Sequence, residues 1–177
     1  MTTATTHLPA ARPFTPEECE ALVSAGIIAE SEQAAVLAGK RRFTVDEYLA
    51  MEVAGVLHED DRVELIDGEI LVMAPIGDYH ETTTDWLTEL CVHAFGHRAV
   101  VRVQGSIRLN NMSAPQPDIA ILQRRSRDDV RPYFPDDIFL VVEVAHSSLR
   151  YDAAPSWPGT RRPAFARCGS PICETEW

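Results

Sequence analysis

Apolar residues along the chain fall into two spacings. From Ile138 the run IFLVVEVA sets seven apolar residues around a single acid, Glu143, and a short β-branched run of this kind predicts a central strand. AVVRVQGSIRL alternates as a strand with a bend at Gly105, and PDIAIL is a second short buried strand. VELIDGEILVMAP predicts two short strands joined at Asp67-Gly68, a dipeptide suited to the positive φ angles of a tight hairpin. From about Tyr79 to Phe95, Trp86, Leu87, Leu90 and Cys91 recur every three to four residues and predict a helix that Gly96 stops.

A longer period lies over the first part of the chain. FTPEECEALVSAGIIAESEQAAVLAGK from Phe14 aligns without a gap on FTVDEYLAMEVAGVLHEDDRVELIDGE from Phe43, 29 residues on. Phe14/Phe43, Thr15/Thr44, Glu18/Glu47, Ala21/Ala50, Ala25/Ala54, Gly26/Gly55, Glu30/Glu59 and Gly39/Gly68 are identical pairs, whereas Ala35 stands opposite Glu64. Each copy offers a threonine N-cap, acids in the first turn and a closing glycine, hence a helix followed by a turn. Two amphipathic helices with ordinary caps can resemble each other by chance; a partial duplication with a degenerate first copy is the favoured reading, because the similarity continues past the helix.

Composition narrows the function classes. The chain has 177 residues, 45% of them hydrophobic, enough for one domain with a core. Its formal charge of -11, from 27 acids against 16 bases, leaves no uniform basic surface for a phosphate backbone, so any nucleic-acid contact has to be local. The loop from Gln123 to Asp137, with Arg124, Arg125, Arg127 and Arg131, is the one basic patch. No run reaches the roughly 20 apolar residues of a membrane span, and Met1 to Arg12 lacks a signal-peptide pattern, so the expectation is a cytoplasmic protein with no membrane partner. Cys19, Cys91, Cys168 and Cys173 show no C-x-x-C spacing and are expected as free thiols. Nucleotide-binding glycine loops and the G-x-S-x-G elbow are absent from the sequence. His93 and His97 stand four apart but lack a third ligand, and read as surface histidines at a helix end.

Two acids sit in hydrophobic company. Asp118 follows Pro117 at the start of PDIAIL, and Glu143 lies inside the strand that should pair with it across the arginine loop. An isolated ionised carboxylate is costly there unless paired or bound to a cation, so two converging ones suggest a hard-metal site such as Mg2+. Spacing alone equally allows Asp118 to cap a turn and Glu143 to pair with an arginine at the sheet surface.

FTVDEYLAM, RVELIDGEILVMAPIGDYH, PQPDIAIL and DDIFLVVEVAHSSLRYD, in this order over residues 43–152, resemble the Uma-type restriction endonuclease family, a bacterial branch of the PD-(D/E)xK nucleases. The resemblance implies an α/β fold, a restriction-endonuclease-like mixed β-sheet flanked by helices, here with an N-terminal helical extension. It implies Asp118 and Glu143 as catalytic acids holding Mg2+, with Glu64 and His80 on positions that border the site, and hydrolysis of DNA phosphodiester bonds. The expected organisation is an extension over residues 1–42 with the degenerate repeat, an incomplete nuclease domain over 43–152, and an irregular tail over 153–177. DNA is the expected partner, contacted through the arginine loop, and a homodimer is compatible with the sequence.

The chain departs from the family in one place that bears on catalysis. The nucleases use a lysine, yet the residue two beyond Glu143 is Ala145, His146 replaces an expected acid, and the sole lysine is Lys40. This branch is expected to carry the lysine on a helix after Tyr151-Asp152, where the chain reads AAPSWPGTRRPAF. Prolines at 155, 158, 163 and 171 argue against a long helix or central strand there. Codons read one base earlier from Pro155 permit lysine, leucine and alanine, then arginine, tyrosine, alanine, glycine, isoleucine, glutamate, valine and tryptophan, a string resembling the missing helix and strand. The reading is a frameshift near residue 154 that removed both elements, which the gene's nucleotides test. Impaired activity and an exposed sheet edge are the expected consequences, with a catalytically inactive, DNA- or protein-binding remnant as the competing class.

Overall fold

The two glycine-terminated helical repeats and the hairpin fold together into one unit, residues 7–74 with 110–114, and the remaining sheet forms a second unit from residue 75 onward. A computed structural model describes residues 10–58, 60–144, 164–169 and 172–176, the last two segments as backbone. This grouping differs from an extension ending at residue 42, because the first repeat is packed into the same core as the second.

In the first unit, β1 (Ala10–Ala11) pairs antiparallel with β3 (Glu69–Val72), which pairs antiparallel with β2 (Val63–Ile66). The β2–β3 turn has positive φ at Asp67 (49°) and Gly68 (79°), the type I′ pattern that matches strand twist. A side chain at Gly68 would also meet Met112 and Arg42. Helices α1 (Pro16–Ser24) and α3 (Val45–Val53) have matching termini. Thr15 and Thr44 each close a capping box, with Glu18 and Glu47 returning the bond to the threonine amide. Gly26 and Gly55 end the turns at φ 70° and 69°. A short 3-10 turn, Glu30–Glu32, leads into α2 (Gln33–Leu37).

The repeat extends further than the aligned identities. Arg12 and Arg41 also lie 29 residues apart, and each bonds its own copy's capping glutamate, Glu18 or Glu47, at 2.6 Å. Each lies over its own copy's phenylalanine, Phe14 at 5.0 Å and Phe43 at 4.7 Å. Each also crosses to the other copy: Arg12 to Asp61 at 4.0 Å and Arg41 to Glu32 at 3.3 Å. Positions 32 and 61 are again one period apart, so the exchange is reciprocal, as in a two-fold interface. The rings of Phe14 and Phe43 meet at 5.6 Å, and Leu22 and Met51 occupy equivalent fully buried sites.

The second unit contains a five-stranded mixed sheet in the order β4-β5-β6-β7-β8. Its strands are β4 (Ala99–Val103), β5 (Ile119–Gln123), β6 (Ile138–Val144), β7 (Ala164–Gly169) and β8 (Ile172–Glu176). All neighbours are antiparallel except β6 and β7, which run parallel. Between β5 and β6 the register skips Phe139, so that Ile121 faces Leu140 and Leu122 faces Ile138, a bulge. Helix α4 (Asp78–Phe95) packs Leu87 and Cys91 against Ile119, Ile121, Val142 and Val144. On the other face Ala120, Leu122 and Val141 bury against Ile107 and Leu109. β5 is therefore covered on both sides, which explains its continuous apolar run.

Three expectations change. The strand from Ala99 ends at Val103, because Gln104 takes φ 48° and turns the chain before Gly105. Trp86 and Leu90, expected on the buried face of the helix, are exposed; the stripe that faces the sheet is Thr84, Leu87 and Cys91. The tail after residue 152 is not irregular throughout, since it supplies β7 and β8, with β7 inside the sheet order. Pro163 and Pro171 flank β7 and do not interrupt it, so every ladder donor within the strand is retained. The helix and lysine position expected between β6 and β7 fall on residues 145–163, outside the described residues. Among the described residues no helix is long and apolar enough to cross a membrane, and Cys19 and Cys91 are free and buried.

Candidate active site

Asp118 occupies a bend immediately before β5, where the PDIAIL run begins. Its backbone carbonyl accepts the Gln104 amide at 3.0 Å, which ties the bend to the end of β4. Its carboxylate is held at both oxygens. Oδ1 lies 2.8 Å from Nε2 of His80, two residues after the start of α4, and Oδ2 accepts the Val144 amide at 2.8 Å. The side chains of His80 and Asp118 are 21% and 13% exposed, so this contact is shielded but open at one side. A carboxylate with two directed partners is fixed in orientation while each oxygen keeps a free lone pair.

Glu143 is on β6, exposed between buried Val142 and Val144. The β5–β6 ladder ends with Ile119 opposite Val142; Asp118 precedes Ile119 in the bend, and Glu143 follows Val142 on β6. Asp118 lies in the bend before β5 and Glu143 on the neighbouring strand β6, one residue before the Val144 whose amide Asp118 accepts, and the helix adds His80 to Asp118. Glu64 lies on β2, half-buried, in the first unit. Among the described residues no group of three or more His, Cys, Asp or Glu side chains is arranged to hold a metal ion. Mg2+ takes oxygen donors and needs only one or two protein carboxylates, the rest coming from backbone carbonyls, water and substrate phosphate, so Asp118 and Glu143 are the residues that could hold it.

The arginine loop behaves differently from a phosphate patch. Arg124 donates to the carbonyls of Gly96 and Ala99 at 3.4 and 2.8 Å. Arg125 is 5% exposed, lies 3.9 Å over the Tyr133 ring and pairs with Asp137. Burial raises the pKa of Asp137, but the Arg125 guanidinium outweighs it and leaves the net shift downward. Arg131 pairs with Asp129 and Asp137 at 3.1 and 3.5 Å. Three of the four arginines thus hold the loop to itself and to the sheet, a use that spacing along a polar loop does not reveal. The Val144 amide was likewise invisible in the sequence, because a backbone donor carries no residue signature.

A model of the Uma2 family, described as "Putative restriction endonuclease", matches residues 45–171. The match continues past Asp152, where the recognised motifs end, and takes in β7. No curated protein matches the sequence. The mixed sheet with α4 on one face and the antiparallel run through Asp118 and Glu143 is a restriction-endonuclease-like α/β fold, and with the matched region covering most of its length the chain belongs to the Uma2 family.

Proposed function

We propose that the chain is a Mg2+-dependent DNA endonuclease site in which Asp118 and Glu143 hold the metal. The observation that carries this reading is the Asp118 carboxylate, held by His80 and by the amide of Val144, the residue that follows Glu143 on β6. Bound Mg2+ would supply Lewis-acid polarisation of a scissile phosphate and a lowered pKa for an attacking water. The protein's part is positional. Val144 fixes Oδ2 from within β6, so any movement of that strand moves both acids together, and His80 sets the rotation of the carboxylate from α4.

The missing lysine supports a second reading, a nuclease fold that binds DNA or a protein without cutting. Ala145 stands two beyond Glu143, and Lys40 is the sole lysine of the chain. Loss of one group that stabilises transition-state charge costs about 10² to 10³ in turnover, so slow cleavage is expected. Nicking of supercoiled plasmid with Mg2+, abolished by Asp118→Ala and by Glu143→Ala, supports the enzyme. Mg2+ binding without nicking supports the non-cutting form, and nicking indifferent to both substitutions removes this site from consideration.

A further inference from the structure

Strand β7 places a cation in register with Glu143. It runs parallel to β6 and pairs on its other side with β8, so its register is fixed by two neighbours. Arg167 of β7 is the partner of Glu143, one row on from Ala166 opposite Val142. On the far side Arg167 is opposite Glu174 of β8. Adjacent strands lie about 4.8 Å apart and residues in register share a face of the sheet, so Glu143, Arg167 and Glu174 form one row of acid, base and acid.

Charge decides what a base in that row can do. Asp118 and Glu143 bring two negative charges, which one Mg2+ balances, and an approaching phosphodiester adds another. In hydrolysis water bonds to phosphorus while the bond to one sugar oxygen breaks, and that oxygen takes up the proton that the water gives up. Negative charge meanwhile spreads over the phosphate oxygens. A guanidinium stays protonated at every working pH, forks onto two phosphate oxygens and exchanges no proton. It suits holding that charge and cannot serve as the base. Arg124, Arg125 and Arg131 are committed within their own loop, whereas strand pairing itself brings Arg167 to the row of Glu143.

We propose that Arg167, in register with Glu143 on the neighbouring strand, is a catalytic residue that binds the scissile phosphate of DNA and offsets its charge. The assignment rests on the nuclease reading of Asp118 and Glu143. The competing use of the row is a cross-strand ladder of opposite charges, which stabilises the sheet and touches no substrate. The two differ in the part of Glu174: a ladder needs both acids, whereas phosphate binding needs Arg167 without it.

Plasmid nicking with Mg2+, and the salt dependence of DNA binding followed by fluorescence anisotropy of a labelled duplex in chelator, test it on the full chain. Arg167→Gln keeps hydrogen bonding without the charge and should lower the nicking rate constant about 10²-fold with unchanged circular dichroism. Arg167→Lys restores the charge but not the fork and should recover roughly tenfold of that loss. Each phosphate neutralised adds about 0.9 to the slope of log affinity against log salt, so Arg167→Gln should lower that slope by about 0.9 and Arg167→Lys should leave it. Glu174→Gln should reproduce neither loss. Equal losses in Arg167→Gln and Glu174→Gln overturn the proposal. A slope that Arg167→Gln leaves unchanged, or a chain that binds no DNA, overturns it whether or not the chain nicks. If nicking disappears in Asp118→Ala and Glu143→Ala while Arg167→Gln changes nothing, the nuclease reading stands and Arg167 falls alone; nicking indifferent to both acids removes the reading, and Arg167 with it.

Discussion

Asp118 shows how a mostly buried acid can be held in one orientation by two separate elements. Its two oxygens are directed by different elements, His80 from a helix and Val144 from a strand, at 2.8 Å each. Partners of this kind typically change metal affinity by about 10- to 100-fold. His80→Ala is therefore expected to weaken Mg2+ binding, measured by calorimetry, by roughly tenfold. His80→Gln keeps a donor near the place of Nε2 and should recover most of it, whereas equal binding in the alanine variant would contradict the role. A second residue-scale prediction concerns acid. The Arg41 hydrogen bond, followed by burial working against it and by the Thr44 amide, holds Glu47 at about 2 against an ordinary 4.5. With the folded value depressed, the stabilisation is complete above about pH 4.5 and lost as pH falls toward 2. Chemical denaturation between pH 6 and 2 should show this loss, and Glu47→Gln should flatten it. The acids themselves were legible as residues because carboxylates in apolar runs need a reason. Their partners were not: a backbone amide leaves no trace in a sequence, and His80 reads alone as an ordinary histidine near a helix start.

The elements whose termini carry chemistry matched the sequence best. Thr15, Thr44, Gly26 and Gly55 mark α1 and α3 because caps and positive φ angles restrict residue type locally. The face that a helix buries depends on its neighbours, and α4 shows the difference. Leu87 and Cys91 reach the sheet while Trp86 and Leu90, just as apolar, do not. β7 and β8 were missed for a similar reason, since prolines at 163 and 171 were weighed as breakers although they lie outside the strands. The 29-residue repeat was legible as identities, but the exchange of Arg12 and Arg41 between copies is a property of packing. If the copies share one core as equivalent halves, Leu22→Ala and Met51→Ala should each cost about 2 to 5 kcal/mol in urea unfolding and lower the same single transition. Two separable transitions would show that the copies fold as independent pieces.

At the scale of the molecule, two kinds of information met. The -11 charge argued against broad phosphate binding, and the arginine loop, folded on Tyr133 and Asp137, does not reverse that. Family membership points to restriction-endonuclease chemistry nonetheless. The two are compatible if DNA approach depends on a small metal-charged site more than on a basic surface. Asp118 and Glu143 were singled out in the sequence because each is an acid in an apolar run; what the structure adds is that Asp118 accepts the amide of Val144, the residue after Glu143 on β6. The central claim is that this pair holds the metal for phosphodiester hydrolysis. Nicking of supercoiled plasmid by the full chain with Mg2+ tests it most directly. Slow nicking that disappears with chelator and in both Asp118→Ala and Glu143→Ala is the predicted result, and nicking that survives either substitution would contradict it.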